Sequence, residues 1–258
     1  MKLYQPLLIA CLLFASATTA CAEKIIVAAA ADLKFAMDEI VLGFKENQPD
    51  NEVNVTYGSS GKFKTQIQQG APYDLFFSAD IAFPRELKKL GLAASEVQPY
   101  ALGRIVLWSN TMDATKMTLA DLTGPNINRI AIANPKHAPY GKRAEECLRA
   151  SGVWDTLQSK FVFGENIAQT AQYVLSKNAQ VGIIALSLAV NPELANQGGY
   201  YLIPDTLHNP LEQGFIITNK GKDNPLAKKF AEYIGSKKAR AIMTKYGFVL
   251  PGEKVANG

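Results

Sequence analysis

The sequence predicts an α/β protein of two lobes, each a mostly parallel sheet flanked by helices. Three observations carry the prediction. Strand–turn–helix units follow one another from Glu23 onward, the grammar of a parallel sheet covered on both faces. Short apolar runs bounded by Gly, Pro, Asn and Ser punctuate the chain at the spacing of strands and connections. No linker of flexible composition divides the 258 residues, although that length exceeds one average domain. Two lobes must therefore be joined by ordered strands.

Taken in order, "EKIIVAAAA" (Glu23 to Ala31) reads as a strand, and Asp32 opens a helix. Leu33, Ala36, Met37, Ile40, Val41 and Phe44 fall on one face of it at helical spacing. "NEVNVTY" alternates Val53, Val55 and Tyr57, a half-buried strand, and Gly58-Ser59-Ser60-Gly61 breaks it before a helix through Phe63 and Ile67. "YDLFFSAD" is a strand and "PRELKKLGL" a helix. "RIVLWSN" and "RIAIANP" are strands, the second ending in an Asn-Pro turn signal, with a short helix at "LADL" between them. Tyr140 to Ser151 reads as a helix stopped at Gly152. "SKFVFGEN" is a strand and turn, and Ile167, Thr170, Ala171, Val174 and Leu175 line the next helix. "AQVGIIAL", "GGYYLIP" and "LEQGFIIT" are strands. Two helices, "NPLAKKFAEYIG" and "KKARAIMTKYG", close the chain.

Residues 1–22 are set apart from this pattern. One basic residue, an apolar run from Leu7 to Phe14 and small residues up to Ala20-Cys21-Ala22 have the form of a secretory leader. The run is too short to cross a membrane as a helix. Cleavage after Ala22 leaves Cys147 as the sole cysteine, so no internal disulfide can form. Its place in "AEECLRA" suits a small buried hydrophobe. An exported chain with no disulfide suggests the periplasm. The net charge of +4, with Lys and Arg scattered, excludes the basic stripe that nucleic acid demands.

The turn "TYGSSGKFKT" resembles a phosphate loop and fails as one. That loop runs G-x-x-x-x-G-K-[ST], whereas here two residues separate Gly58 from Gly61 and Phe63 stands at the Ser/Thr position. The Mg²⁺ ligand is missing, and the periplasm lacks ATP. Other enzyme signatures are thin. His137 and His208 lie outside any metal-binding spacing, and Asp74 reads as a structural residue at a strand start. The turns suit a different task. Helix N-termini offer unpartnered N–H groups and a positive dipole end, and Ala31-Asp32 and Ser59-Ser60 begin two successive helices. Facing each other, they could wrap an anion without a counter-charge. Plain N-capping explains either turn alone.

The runs "IIVAAAADLKFAM", "YGSSGKFKTQIQQGAPYDLFFSAD", "IANPKHAPYGKRAEECL" and "KYGFVLP" together resemble the periplasmic molybdate-binding proteins of ABC importers, in order and with like spacing. The resemblance implies a type II solute-binding fold: residues 23–101 with 204–258 in lobe one, 102–203 in lobe two, and the ligand between them. It implies no enzyme and no cofactor, a molybdate or tungstate ligand, a membrane permease as partner, and a monomer. Any metal enters as oxyanion. Carried over by position, the ligand contacts fall on Asp32, Ser60, Tyr140 and Ile167, and Gly61 is expected to add an exposed helix-start N–H. Two positions depart from the family. Ala185 stands where relatives carry a donor Tyr, and the Tyr140 hydroxyl is expected to replace it. Asp32 places a carboxylate where a neutral donor belongs, and is expected to turn onto its own helix N–H groups as a cap. Another anion, such as protonated phosphate, is the alternative ligand, and a periplasmic hydrolase the alternative class.

Overall fold

The computed structural model describes residues 23–253, so the leader read in residues 1–22 lies outside them. Four strands come first, β1 (Lys24–Ala30), β2 (Glu52–Gly58), β3 (Leu75–Ser78) and β4 (Gln98–Gly103). Five more follow, β5 (Ile105–Ser109), β6 (Ile130–Ala133), β7 (Phe161–Gly164), β8 (Val181–Ala185) and β9 (Gly199–Leu202), and then β10 (Leu211–Ile217). They form two five-stranded sheets, β2-β1-β3-β10-β4 and β7-β6-β8-β5-β9. The chain crosses between them twice, at Arg104 and between β9 and β10. Because β4 continues to Gly103, Leu102 still pairs within the first sheet.

Both sheets are mixed, and the crossings are the reason. β1 pairs parallel with β2 and β3, as the helix-linked units require. β10 returns from the other lobe and runs antiparallel to β3 and β4. In the second sheet β6 is parallel to β7 and β8, whereas β5, which enters from the first lobe, is antiparallel to β8 and β9.

The helices cover these sheets. In lobe one they are α1 (Lys34–Lys45), α2 (Ser60–Gln68) and α3 (Ala82–Lys89); in lobe two α4 (Pro139–Ala150), α5 (Ile167–Leu175), α6 (Leu186–Ala189) and α7 (Pro192–Ala195). The last two, α8 (Pro225–Ile234) and α9 (Lys237–Lys245), return to lobe one. α1 buries Ala36, Met37, Ile40 and Phe44 against Phe230 and Ile234 of α8 and the β1 side chains Ile25 and Val27. In lobe two the Cys147 thiol is buried on α4, and burial pushes its pKa up to about 12, which keeps it an inert hydrophobe. Asp74 is structural, accepting the Ile26 N–H at 2.7 Å. Strands β1, β2, β3, β6 and β7 all point their carboxyl ends at the seam between the lobes, where α/β sheets hold ligands.

Candidate functional site

Four helices begin at one small cavity in that seam. A 3-10 turn, Ala31–Leu33, runs directly into α1, and α2, α4 and α5 start at Ser60, Pro139 and Ile167. The cavity is lined by Ala30, Asp32, Ser60, Ala79, Tyr140 and Ile167 among others, and the centre of a water-sized sphere can move through only about 10 Å³ of it. That is far below the pockets that take drug-sized ligands, so this space suits a small ion. Two helix starts come from each lobe, and the first N–H groups of each have no partner inside their own helix. No Lys or Arg lines the cavity among the described residues, so any anion here rests on N–H groups, hydroxyls and helix dipoles.

Capping does not explain the small polar residues in these turns. The 3-10 turn is preceded by Ala30, and neither Asp32 nor Ser59 makes a side-chain cap bond. Other helices carry ordinary caps: Asn191, Asn224 and Ser236 each accept an N–H of their own helix, and so does Asn166 at the α5 start of this cavity. Ser59 Oγ instead donates to the His137 carbonyl at 2.6 Å, across the seam, and lies 3.0 Å from His137 Nδ1. Ser60 Oγ is fully buried, accepts the Ala79 N–H at 3.0 Å and donates to no described residue. A hydroxyl carries one proton and two lone pairs, so the Ser60 proton is left to face the cavity.

Three expectations meet a different geometry. The Gly61 N–H is not exposed; it donates to the His137 carbonyl at 3.0 Å because α2 meets the loop before α4 there. A Cβ at Gly61 would stand 2.5 Å from that carbonyl oxygen, so only glycine permits the approach. Asp32 is not a cap. Its Oδ2 accepts the Tyr140 hydroxyl at 2.9 Å and Gln213 Nε2 at 2.8 Å. The Tyr140 hydroxyl is thereby committed to Asp32 and does not stand in for a donor at Ala185, which ends β8 fully buried.

The Asp32 carboxyl sits in a buried polar chain. Tyr100 donates to Gln213 Oε1 at 2.6 Å, which turns the Gln213 amide nitrogen toward Asp32 and, at 3.1 Å, toward the Tyr140 oxygen. A bulge between Gln213 and Gly214 interrupts the β10–β4 register beside it, a device that re-aims side chains near sites. A Cβ at Gly103 would collide with both the Tyr140 hydroxyl and the Gln213 amide. Burial pushes the Asp32 carboxyl up to about 6 against the hydrogen bonds of Gln213 and Tyr140, which act to lower it. Burial, and then the Asp32 charge, hold the Tyr100 and Tyr140 phenols well above their ordinary range.

Further contacts tie the lobes together. Ser187 Oγ, from α6, donates to the Asp32 carbonyl at 2.7 Å. Lys62 pairs with Glu165 at the rim. Burial, then the Lys62 charge, lower the His137 pKa, so the ring is neutral at pH 7. Gln213 and Ser187 are absent from the residues that the sequence singles out, and nothing in the sequence joins Ser59 to His137. Gln213 alone leaves a trace there, as a polar residue beside a glycine in a strand.

Comparison with known proteins agrees with this architecture. The family profile described as bacterial extracellular solute-binding protein matches residues 25–249. The molybdate-binding protein ModA of Azotobacter vinelandii is 36% identical over 235 residues, covering 91% of this chain and 93% of its own. ModA of Rhodobacter capsulatus is 34% identical over 234 residues, covering 90% and 91%. The solved structure of the Azotobacter vinelandii periplasmic molybdate-binding protein superposes with a TM-score of 0.83 at 30% identity, covering 88% of this chain and 99% of that one. Two α/β lobes, a small anion-sized cavity at their seam and a match along nearly the whole described chain lead to one assignment: the protein belongs to the family of bacterial extracellular solute-binding proteins.

Proposed function

We propose that this protein captures molybdate or tungstate between its lobes outside the inner membrane and delivers it to the membrane permease of an ABC importer. The observation that carries the reading is the convergence of four helix starts, two from each lobe, with the free Ser60 proton on one cavity of small-ion size that holds no Lys or Arg. A tetrahedral oxyanion presents four acceptors, and this site offers donors from both walls. The similarity to molybdate-binding proteins along most of the chain supports the choice of ion. In this reading Ser60 donates its hydroxyl and the helix starts at Tyr140 and Ile167 offer their N–H groups, while the Gly61 N–H serves closure through His137. Molybdate and tungstate share shape and charge, so the reading covers both. The protein acts as a monomer in the periplasm.

Isothermal titration against molybdate, tungstate, sulfate and phosphate tests this directly. Tight binding of the first two, with the others far weaker, is the expected result. Phosphate binding tighter than molybdate overturns the assignment, as does the absence of heat from all four.

A further inference from the structure

Asp32 is the least expected member of an anion site, and its two oxygens are treated differently. Oδ2 receives both donors, the Tyr140 hydroxyl and the Gln213 amide. Oδ1 is buried and receives no full hydrogen bond from the described residues, although the Asp32 and Leu33 N–H groups lie close enough to the carboxyl to help lower its pKa. The residue is 1% exposed and lines the cavity. The donors are themselves fixed, because Tyr100 holds Gln213 Oε1. Two hydrogens already point at Oδ2, so a proton added to this carboxyl belongs on Oδ1.

We propose that the oxyanion is captured together with one proton, which Asp32 holds on Oδ1 and donates as a hydrogen bond to the bound ion. The inference rests on the oxyanion reading of the cavity. A solvent proton joins the carboxylate to give the neutral acid, and the ion enters with its charge intact. No other bond is made or broken.

The surroundings supply no alternative neutraliser. The titratable groups facing Asp32 are the Tyr140 and Tyr100 phenols, both held neutral. Gln213 and Ser187, from β10 and α6, carry no charge. No cation acts on the Asp32 carboxyl, and Lys34, Lys62 and Arg143 of adjoining elements are paired with Asp38, Glu165 and Glu146. Burial already brings the Asp32 carboxyl up to about 6. A dianion beside it raises that value further, because like charge disfavours the ionised form. At pH 7 to 8 the empty site is therefore ionised and the filled site protonated.

The test is calorimetric titration of the whole mature protein with molybdate from pH 6.5 to 8.5, in buffers of differing ionisation enthalpy, which counts protons. The wild type is expected to take up about one proton per ion at pH 7.5, and its affinity to fall about tenfold per pH unit above that. In Asp32→Asn the amide oxygen can accept from Tyr140 and Gln213 while its NH₂ stands where Oδ1 was. That variant is expected to show no Asp32-linked proton uptake, a flat profile, and affinity at least tenfold above wild type at pH 8.5. Protons moved by His137 would persist in the variant, so the difference isolates Asp32. Wild-type binding without proton uptake overturns the inference and leaves the oxyanion reading standing. So does a folded Asp32→Asn protein, judged by its melting curve, that binds at least tenfold more weakly than wild type at every pH. If no oxyanion binds either protein, the oxyanion reading fails and takes this inference with it.

Discussion

The Ser60 hydroxyl accepts from Ala79 and keeps its own proton, so one substitution separates its two roles. Ser60→Ala removes a donor to a charged ligand, a loss of roughly 1.5–3 kcal/mol, or about ten- to a hundredfold in affinity. Titration with molybdate reads the change; an unaltered affinity would make Ser60 only a support for β3. Asp32 gives a second test, without ligand. Its carboxyl is raised from 3.8 to about 6 by burial. Stability linked to it is fully present below the unfolded value and is lost as pH rises through the folded one. A rise of that size corresponds to roughly 3 kcal/mol. Asp32→Asn is thus expected to gain up to about that much stability over wild type at pH 8 and clearly less at pH 5, measured by urea unfolding. An equal difference at both values would mean that the carboxyl titrates normally. These residues also mark how far the sequence can be read. Ser60 and Asp32 were visible because small polar residues at helix starts have few uses. Their partners were not: Gln213 lies 181 residues from Asp32 and Ser187 lies 155 away, and no local pattern reports such a meeting.

At the level of elements, α2 and the loop before α4 touch through the Gly61 N–H and the His137 carbonyl, with Ser59 bonded to the same oxygen. Gly61→Ala would push a methyl carbon to 2.5 Å from that carbonyl oxygen, so the two elements must separate. The expected outcome is molybdate affinity lowered at least about tenfold, the equivalent of 1.4 kcal/mol, with some loss of ligand-free stability as well, because the contact forms without the ion. Calorimetry paired with a melting curve checks both. The β-α-β units were legible because apolar strands and one-faced helices each have a period. β4, α6 and α7 were not. β4 contains Pro99 and mixes exposed with buried residues, and each of the two helices has four residues, too few to display helical spacing. The antiparallel halves of both sheets were hidden as well. Strand direction depends on which lobe the chain comes from, and composition carries no record of that.

For the whole molecule, both lobes line the cavity, so a ligand that fills it favours the closed, folded state alone. Molybdate at a hundred times its dissociation constant should add about 2.7 kcal/mol and raise the melting temperature by about 5–10 °C. Scanning calorimetry with and without the ion measures this, and a curve unmoved by molybdate and tungstate would remove the transport reading. The order of the first sheet has a consequence for the making of the protein. β10 sits between β3 and β4, yet more than a hundred residues separate it from either. A ribosome or a translocon delivers the chain from its amino end, so β3 emerges with one edge bare and keeps it bare while the entire second lobe appears. A bare apolar edge is a template for pairing with other chains. Until residues 211–217 arrive, the nascent polypeptide thus needs a holder or must stay unfolded, and a chain broken off after residue 203 should aggregate through β3 even though its second lobe is complete.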